Sequence, residues 1–178
     1  MPKILAFAGS TRTDSLNRKL AAMAAEMAGA TLLELRDYPL PIYDGDLEAA
    51  EGLPENVLKL KAQFDAHDGL LIACPEYNGS ITPLLKNTID WVSRAAPDEK
   101  PLQQFRGKVA GLLAASPGAL GGMRGLVHVR AILGGIGVHV IPDQAAVSKA
   151  HEGLDDRTKS RVEGVVQALV NTTEQLSG

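Results

Sequence analysis

A complete strand, loop and helix can be read in residues 70–92, LLIACPEYNGSITPLLKNTIDWV. The stretch opens with a short apolar run, residues 70–74, which is typical of a buried strand. Thr82 then stands directly before Pro83, an order that favours a helix N-cap followed by the first helical turn. Apolar residues recur at helical spacing from there to the end of the stretch. The sequence therefore predicts one βα unit here, with a polar loop between strand and helix.

The same alternation continues in both directions along the chain. Apolar runs predict five strands, at residues 4–8, 31–35, 70–74, 109–115 and 138–141. Helical spacing predicts five helices, at residues 16–27, 57–64, 81–92, 122–133 and 162–169. The stretches 37–54 and 95–104 are interpreted as long loops. Five βα pairs favour a doubly wound α/β fold, in either the flavodoxin-like order 2-1-3-4-5 or a truncated Rossmann order, between which spacing does not choose.

Composition limits the classes of function. A chain of 178 residues suits one domain, 1–178, and a net charge of −3 gives no basic field for nucleic acid. The single cysteine, Cys74, can form neither an internal disulfide nor a thiolate metal cage, which suits the cytoplasm. No apolar run approaches the ~20 residues of a membrane span. No metal is expected either, because the histidines lack the spacing of metal ligands. They are interpreted as structural or surface residues: His67, His128, His139 and His151.

A polar loop follows the first predicted strand. Between Gly9 and Asn17 it carries several hydroxyls and the guanidinium of Arg12, and it opens directly onto a predicted helix. Hydroxyls, a fixed cation and the N–H groups of a helix N-terminus together favour a bound phosphate. The simpler interpretation is that Asp14 or Ser15 only caps the helix. Because the loop contains neither GxxxxGK[ST] nor GxGxxG, it favours the terminal phosphate of a mononucleotide.

Two further loops are expected at the same edge, because the ligand site of an open parallel sheet lies beyond the carboxyl ends of its strands. After residues 70–74, Tyr77 offers an aromatic ring and Asn78 an amide, beside a helix N-terminus that favours an anionic ring. A simple proline-bounded turn is the alternative. After residues 109–115, three glycines between 118 and 122 allow close approach to a flat ligand. Arg124 could reach the phosphates of a nicotinamide cofactor or form a salt bridge.

Together these segments resemble the NADPH-dependent FMN reductase family of flavodoxin-like proteins, which includes quinone, azo and chromate reductases. The resemblance rests on Gly9-Ser10-x-Arg12-x-x-Ser15-x-Asn17, on Pro75-Glu76-Tyr77-Asn78 and on Lys86-Asn87-x-Ile89-Asp90-Trp91. It implies the sheet order 2-1-3-4-5 with helices on both faces, bound FMN, and NADPH or NADH as electron donor. A quinone, free flavin, azo dye or chromate would be the acceptor, and the protein would be a homodimer or homotetramer.

The resemblance also implies which residues hold the cofactor. Those expected at the FMN phosphate are Ser10, Arg12, Ser15, Leu16 through its backbone, and Asn17. Those expected along the isoalloxazine and ribityl chain are Pro75, Glu76, Tyr77 and Asn78. Those expected to close the other side of the ring are Ser116, Gly118 and Gly121. No catalytic side chain is expected, because the flavin carries out the redox chemistry and the protein supplies position and field.

Three other functions fit parts of the pattern. A flavodoxin-type electron carrier would bind FMN but have no substrate of its own; such carriers tend to be strongly acidic and use a tighter phosphate loop without an arginine like Arg12. A redox-sensing flavoprotein would signal to a partner. A hydrolase built on Ser116 lacks the G-x-S-x-G elbow. Trp91 lies on a strongly apolar helix and is expected to be buried in the core or an interface.

Overall fold

The computed structural model describes residues 1–177, and its main feature is a five-stranded parallel sheet. The strands of this sheet are β1 (Ile4–Ala8), β2 (Thr31–Leu33), β3 (Gly69–Ala73), β6 (Val109–Ala115) and β7 (His139–Val147). Their order is β2-β1-β3-β6-β7, with every neighbouring pair parallel. Counting only the strands of this sheet, that is the predicted order 2-1-3-4-5. A separate antiparallel hairpin consists of β4 (Glu76–Tyr77) and β5 (Ser80–Ile81).

Helices cover both faces of the sheet. They are α1 (Leu16–Ala28), α2 (Gly45–Glu51), α3 (Glu55–Asp65), α4 (Pro83–Val92), α5 (Met123–Gly135) and α6 (Asp156–Ser177). One apolar cluster joins the sheet to α1 and α6, and a second joins it to α3, α4 and α5. Within residues 1–177, no helix combines the length and apolar content that crossing a membrane requires.

The side chains of β1 show why the strands read as continuous apolar runs. Ile4, Ala6 and Ala8 point into the cluster with α1 and α6. Leu5 and Phe7, on the opposite face, join the cluster with α3, α4 and α5. Because a strand alternates its side chains and both faces are covered, every residue of β1 is buried.

Several elements differ from the sequence predictions. The last helix, α6, is much longer than the predicted 162–169, the ends of other helices shift by one or two residues, and the loop after β3 contains the hairpin. Three further differences have a clear physical reason. β2 ends at Leu33 and is followed by a 3-10 turn, Leu35–Asp37, instead of continuing to residue 35. The stretch 37–54, predicted as loop, contains α2, which has no buried residue and therefore no apolar stripe that periodicity could detect. β7 extends well beyond residue 141, because the register shift opposite Ala110 and Leu112 accommodates Pro142 in an edge strand.

Candidate functional site

A cavity of about 320 Å³ opens at the carboxyl edge of the sheet, where the loops after β1, β3 and β6 meet. This is the edge at which the strand order reverses between β1 and β3, as expected for a ligand site in a doubly wound sheet. The residues that line the cavity are Ser10, Arg12, Asp14, Ser15, Leu16, Asn17, Pro75, Glu76, Tyr77, Ala115, Ser116, Pro117 and His151. The three predicted site residues outside this lining are Asn78, Gly118 and Gly121.

The β1–α1 loop presents the N-terminus of α1 to the cavity. Ser15 is the N-cap, and its side chain accepts a hydrogen bond from the N–H of Arg18. The hydroxyls of Ser10 and Ser15 lie in nearly buried residues, whereas Arg12 is exposed. Within the described chain, the guanidinium of Arg12 makes no hydrogen bond or ion pair. Hydroxyls, a helix N-terminus and a cation that is uncommitted within the described residues therefore all belong to the lining of this cavity.

Two arginines that the sequence analysis did not select hold this loop from outside. Arg18 donates from Nη1 to the carbonyls of Arg12, at 3.1 Å, and Thr13, at 3.2 Å. Arg36 donates from Nη2 to the carbonyl of Thr11. In a trans peptide the C=O and the next N–H point in opposite directions. Anchoring these three carbonyls therefore directs the N–H groups of the residues that follow them, Arg12, Thr13 and Asp14, away from the arginines.

Asn17 has a structural function in addition to its place in the cavity lining. Its amide nitrogen donates to the carbonyl of Ala115 at 2.8 Å, and its amide oxygen accepts from the N–H of the same residue at 2.9 Å. The pair joins the first turn of α1 to the end of β6. Half of the hydrogen-bonding capacity of this side chain, one donor and one acceptor position, is thereby committed to positioning the loops.

Thr82 joins the first loop to the start of α4. Its hydroxyl donates to the carbonyl of Gly9 at 2.8 Å and accepts from the N–H of Leu85 at 3.3 Å, which confirms the predicted N-cap. Gly9 lies so close to α4 that a Cβ there would stand 2.9 Å from Cβ of Leu85. A side chain at this position would therefore push the two loops apart.

The loop after β3 contains the hairpin β4–β5, which the sequence analysis missed. Asn78 and Gly79 form its two-residue turn and both have positive φ angles, 52° and 80°. An Asn-Gly pair is the strongest short-range signal for such a turn, so the signal was present in the sequence. The turn places Asn78 outside the cavity lining, whereas Tyr77 reaches it and is 48% exposed.

The carboxylate of Glu76 caps α5. Its Oε2 accepts from the backbone N–H groups of Arg124, at 3.0 Å, and Gly125, at 3.1 Å, while Oε1 accepts from the side chain of Arg124. Burial raises the pKa of Glu76, but these hydrogen bonds outweigh it, so the pKa lies below its ordinary value. The side chain is thus fully engaged, and Arg124 forms the salt bridge that was one of its two predicted roles.

The loop after β6 is held against the end of β7. Ser116 accepts a backbone hydrogen bond from Ala150 at 3.1 Å, and its hydroxyl accepts from the N–H of Gly118. Gly121 has φ 62°, and a Cβ there would lie 2.8 Å from the backbone nitrogen of Ser148. The close backbone approach predicted for these glycines therefore occurs at Gly121, but the nearest atoms belong to the chain itself.

The third sequence motif lies beside the site and has a structural role. Asn87 donates to the carbonyl of Pro41 and accepts from the N–H of Tyr43, and the indole N–H of Trp91 also donates to Pro41. Trp91 is fully buried, as predicted. These bonds fix the segment before α2 against α4, where it borders a second, larger cavity of about 430 Å³. The start of α4 and Lys86 also line this second cavity, but the Lys86 cation is paired with Asp90 at 2.7 Å.

Cys74 lies directly after β3 and before Pro75. Its side chain is completely buried, and this burial raises the pKa of the thiol far above its ordinary range. The group therefore stays protonated. Within residues 1–177, no cluster of three or more His, Cys, Asp or Glu side chains is arranged to hold a metal ion.

The donor set and size of the first cavity fit a mononucleotide. Small-molecule cavities in proteins begin at about 300 Å³, so this cavity suits a mononucleotide better than a dinucleotide. The lining brings together a helix N-terminus and Arg12, which suit a phosphate, and loop backbone and the Tyr77 ring, which suit a flat group. Fold and site together define a flavodoxin-like nucleotide-binding protein.

Comparison with known proteins identifies the family. The model of the family described as NADPH-dependent FMN reductase matches residues 2–152, and the chain belongs to that family. The chain is 35% identical over 186 residues to an NAD(P)H-dependent FMN reductase of Pseudomonas aeruginosa, covering 99% of this chain and 97% of the relative. It is 36% identical over 135 residues to the quinone reductase of Escherichia coli, covering 74% of this chain and 69% of the relative.

A solved structure agrees with these sequence relationships. FerB of Paracoccus denitrificans, a flavoenzyme NAD(P)H:(acceptor) oxidoreductase, superposes with a TM-score of 0.85 at 29% identity and covers 98% of both chains. The protein is accordingly an oxidoreductase that uses FMN and NAD(P)H. The relatives are reductases and do not favour the electron-carrier alternative.

Proposed function

We propose that the protein transfers reducing equivalents from NAD(P)H to a quinone through FMN bound in the cavity at the carboxyl edge of the sheet. The observation that carries this proposal is the cavity itself, which joins the α1 N-terminus and Arg12 to the Tyr77 loop in one space. The overall reaction is NAD(P)H + H⁺ + quinone → NAD(P)⁺ + hydroquinone. The quinone is chosen because relatives similar over most of the chain are quinone and FMN reductases.

The phosphate of FMN would lie at the start of α1. There the hydroxyls of Ser10 and Ser15, the backbone of Leu16 and the guanidinium of Arg12 would bind it, with Asn17 fixing the loop beside Ala115. A phosphate at a helix N-terminus is stabilised by the exposed N–H groups and the helix dipole. Arg18 and Arg36 support the site by holding the loop carbonyls away from it.

The flat part of the cofactor would lie between the loops after β3 and β6. Pro75, Tyr77 and the backbone of Glu76 would form one wall, and Ser116 would close the other. Asn78, Gly118 and Gly121, which lie outside the lining, would act by setting the turn and loop conformations that place these walls. FMN supplies the hydride-accepting and electron-donating chemistry when bound. The residues of the chain orient it and leave the Tyr77 side open to NAD(P)H and the acceptor.

We further propose that the chain acts as a single FMN-binding domain within a cytoplasmic homo-oligomer. The N-terminal half of α5 supports the oligomer, because Met123 and Val127 lie one turn apart and are 51% and 60% exposed. Light scattering on the purified protein would measure the mass of the assembly. A monomer at micromolar concentration would contradict the oligomer and leave the cofactor site untouched.

The test of the function is a sequence of absorbance spectra on purified protein loaded with FMN. Addition of NADPH under anaerobic conditions should bleach the flavin absorbance, and addition of a quinone should restore it. A parallel titration with riboflavin, which lacks the phosphate, should show weaker binding than FMN. Tight FMN binding without bleaching by NADPH or NADH would contradict the reductase, and absence of FMN binding would refute the assigned site.

A further inference from the structure

Charged side chains at the end of β2 reach back to the β1–α1 loop. Arg36, in the 3-10 turn after β2, donates from Nη2 to the carbonyl of Thr11. Glu34, directly after β2, accepts from Nε of Arg18 at 2.8 Å, and Nη1 of Arg18 donates to the next two carbonyls of the loop. The side chains of Arg18 and Glu34 are only 21% and 30% exposed, so this pair is better held than a surface ion pair. Together, Glu34, Arg18 and Arg36 form a clamp on three successive carbonyls.

The loop that the clamp holds has several backbone donors without a partner. Among residues 1–177, no hydrogen bond is made by four of its N–H groups, those of Thr13, Asp14, Leu16 and Asn17. Asp14, Leu16 and Asn17 line the cavity, whereas none of the clamp residues does. The N–H groups of Thr13 and Asp14 point away from Arg18, because the carbonyls of the same peptides are bound to it. Clustered free N–H groups at a helix N-terminus suit an anion.

The clamp favours this arrangement of the loop before any ligand binds. Rotation of a peptide group exchanges the positions of its C=O and its N–H, and a carbonyl turned toward a phosphate would repel it. Here such a rotation would break a charge-assisted hydrogen bond to Arg18 or Arg36. A loop that is already ordered for its ligand avoids part of the ordering cost of binding. The phosphate affinity should therefore depend on residues that do not touch the phosphate.

We propose that Arg18 and Arg36 are positioning residues that strengthen the preference of the protein for FMN over riboflavin. This inference rests on the proposed function, since it requires the flavin phosphate at the β1–α1 loop. The two arginines differ in what can replace them. Arg36 uses one nitrogen for one carbonyl, which a lysine ammonium can also do. Arg18 uses Nε for Glu34 and Nη1 for two carbonyls, a fork that lysine does not have.

The experiment measures the dissociation constants of oxidised FMN and of riboflavin by quenching of flavin fluorescence, and its readout is their ratio. Arg36→Ala and Arg18→Ala should each lower the preference for FMN about three- to tenfold, the size of one net hydrogen bond, with little change in riboflavin affinity. Arg36→Lys should recover most of the wild-type preference, and Arg18→Lys much less. A role confined to stability would instead weaken the binding of both flavins alike.

Arg106→Ala is the matched control for charge. Arg106 is exposed and lies shortly before β6, at the opposite edge of the sheet from the cavity. Its removal changes the net charge by the same amount and should leave the ratio of the two dissociation constants unchanged. A wild-type ratio in Arg18→Lys would show that the charge alone matters and would overturn the positioning role. Wild-type ratios in both Arg18→Ala and Arg36→Ala would overturn it as well.

The wild-type titration tests the phosphate site separately. Wild-type protein that binds FMN no more tightly than riboflavin would refute the assigned site. A strong preference for FMN that both alanine variants retain would overturn only the role of the clamp. Because the titration uses oxidised flavin without NAD(P)H or quinone, its result does not depend on whether the reductase reaction occurs.

Discussion

Replacement of Glu76 by glutamine tests the link between the cavity wall and α5. The carboxylate accepts from the backbone N–H groups of Arg124 and Gly125 and from the Arg124 side chain. One hydrogen bond to a charged group makes a net contribution of about 1.5–3 kcal/mol to the free energy of unfolding. Glutamine keeps one oxygen but turns an NH₂ group toward the other donors. We therefore expect the free energy of unfolding to fall by about 2 kcal/mol, or about 4–8 °C in Tm for a domain of this size.

The assay is thermal unfolding followed by circular dichroism, on protein without FMN, at several pH values. Because the pKa of folded Glu76 lies below its ordinary value of 4.5, its carboxylate stabilises the fold above that pH. This stabilisation is lost as the pH falls through the lower, folded pKa. The difference between wild type and Glu76→Gln should therefore be full at pH 7 and narrow in acid.

Glu55→Gln is the matched control. Glu55 also pairs with a cation, Lys59 at 2.7 Å, but this pair is exposed on the surface of α3. Its removal should leave Tm nearly unchanged, because exposed i,i+4 pairs contribute little. Equal Tm values for wild type and Glu76→Gln at pH 7 would show that Glu76 does not cap α5 in solution, and the reasoning would fail.

Three further substitutions test other contacts. Arg12→Ala should weaken FMN binding by about 10- to 100-fold, because a charge-assisted hydrogen bond of about 1.5–3 kcal/mol is lost. Riboflavin binding and Tm should stay constant. Fluorescence titration measures both affinities. Thr82→Val should lower stability by about 2 kcal/mol in chemical unfolding, because the buried carbonyl of Gly9 and N–H of Leu85 lose their partner, and Thr82→Ser should restore it. Gly121→Ala should lower the free energy of unfolding by more than about 1 kcal/mol, because φ is positive and the added Cβ would collide with backbone atoms. Gly118→Ala should leave the free energy of unfolding nearly unchanged.

Each of these three expectations has a contradicting outcome. Full FMN affinity in Arg12→Ala would remove this guanidinium from the phosphate site. A Thr82→Val protein as stable as Thr82→Ser would mean that the hydroxyl contributes no more than a methyl group to holding the first loop against α4. Equal stability of Gly118→Ala and Gly121→Ala would show that the β6 loop can shift away from β7 at no cost.

Much of the sheet could be predicted because its signals are local. β1 and β6 have the predicted bounds, since each is a continuous apolar run ended by polar or glycine residues. The start of α4 was predicted from Thr82 and Pro83, whose chemistry acts within one helical turn. By contrast, α2 buries nothing, and β7 passes through a proline that ordinarily ends a strand. In both, the state of the backbone depends on contacts far away in sequence.

The residues of the candidate site also fall into those that local sequence predicts and those that depend on distant contacts. The hydroxyls and Arg12 of the first loop could be selected from their own neighbourhood, because hydroxyls and a cation directly before a helix start favour a bound anion. Arg36 and His151 could not be selected in this way, because both come from distant parts of the sequence. Arg36 binds the first loop from 25 residues away, and His151 lines the cavity from an element still further along the chain. Glu76 shows a third case. Its position was predicted, but its carboxylate turned out to be engaged with α5, which only the folded arrangement reveals.

The burial of Cys74 has a consequence for chemical durability. Quinones are electrophiles that add to accessible thiolates, and a protein that processes them meets this hazard at every turnover. Here the sulfur belongs to the single cysteine of the chain, lies fully inside the core and keeps its proton. Alkylation would first require β3, the central strand of the sheet, to open. The folded protein is therefore expected to resist inactivation by its own proposed acceptors for as long as its core stays closed.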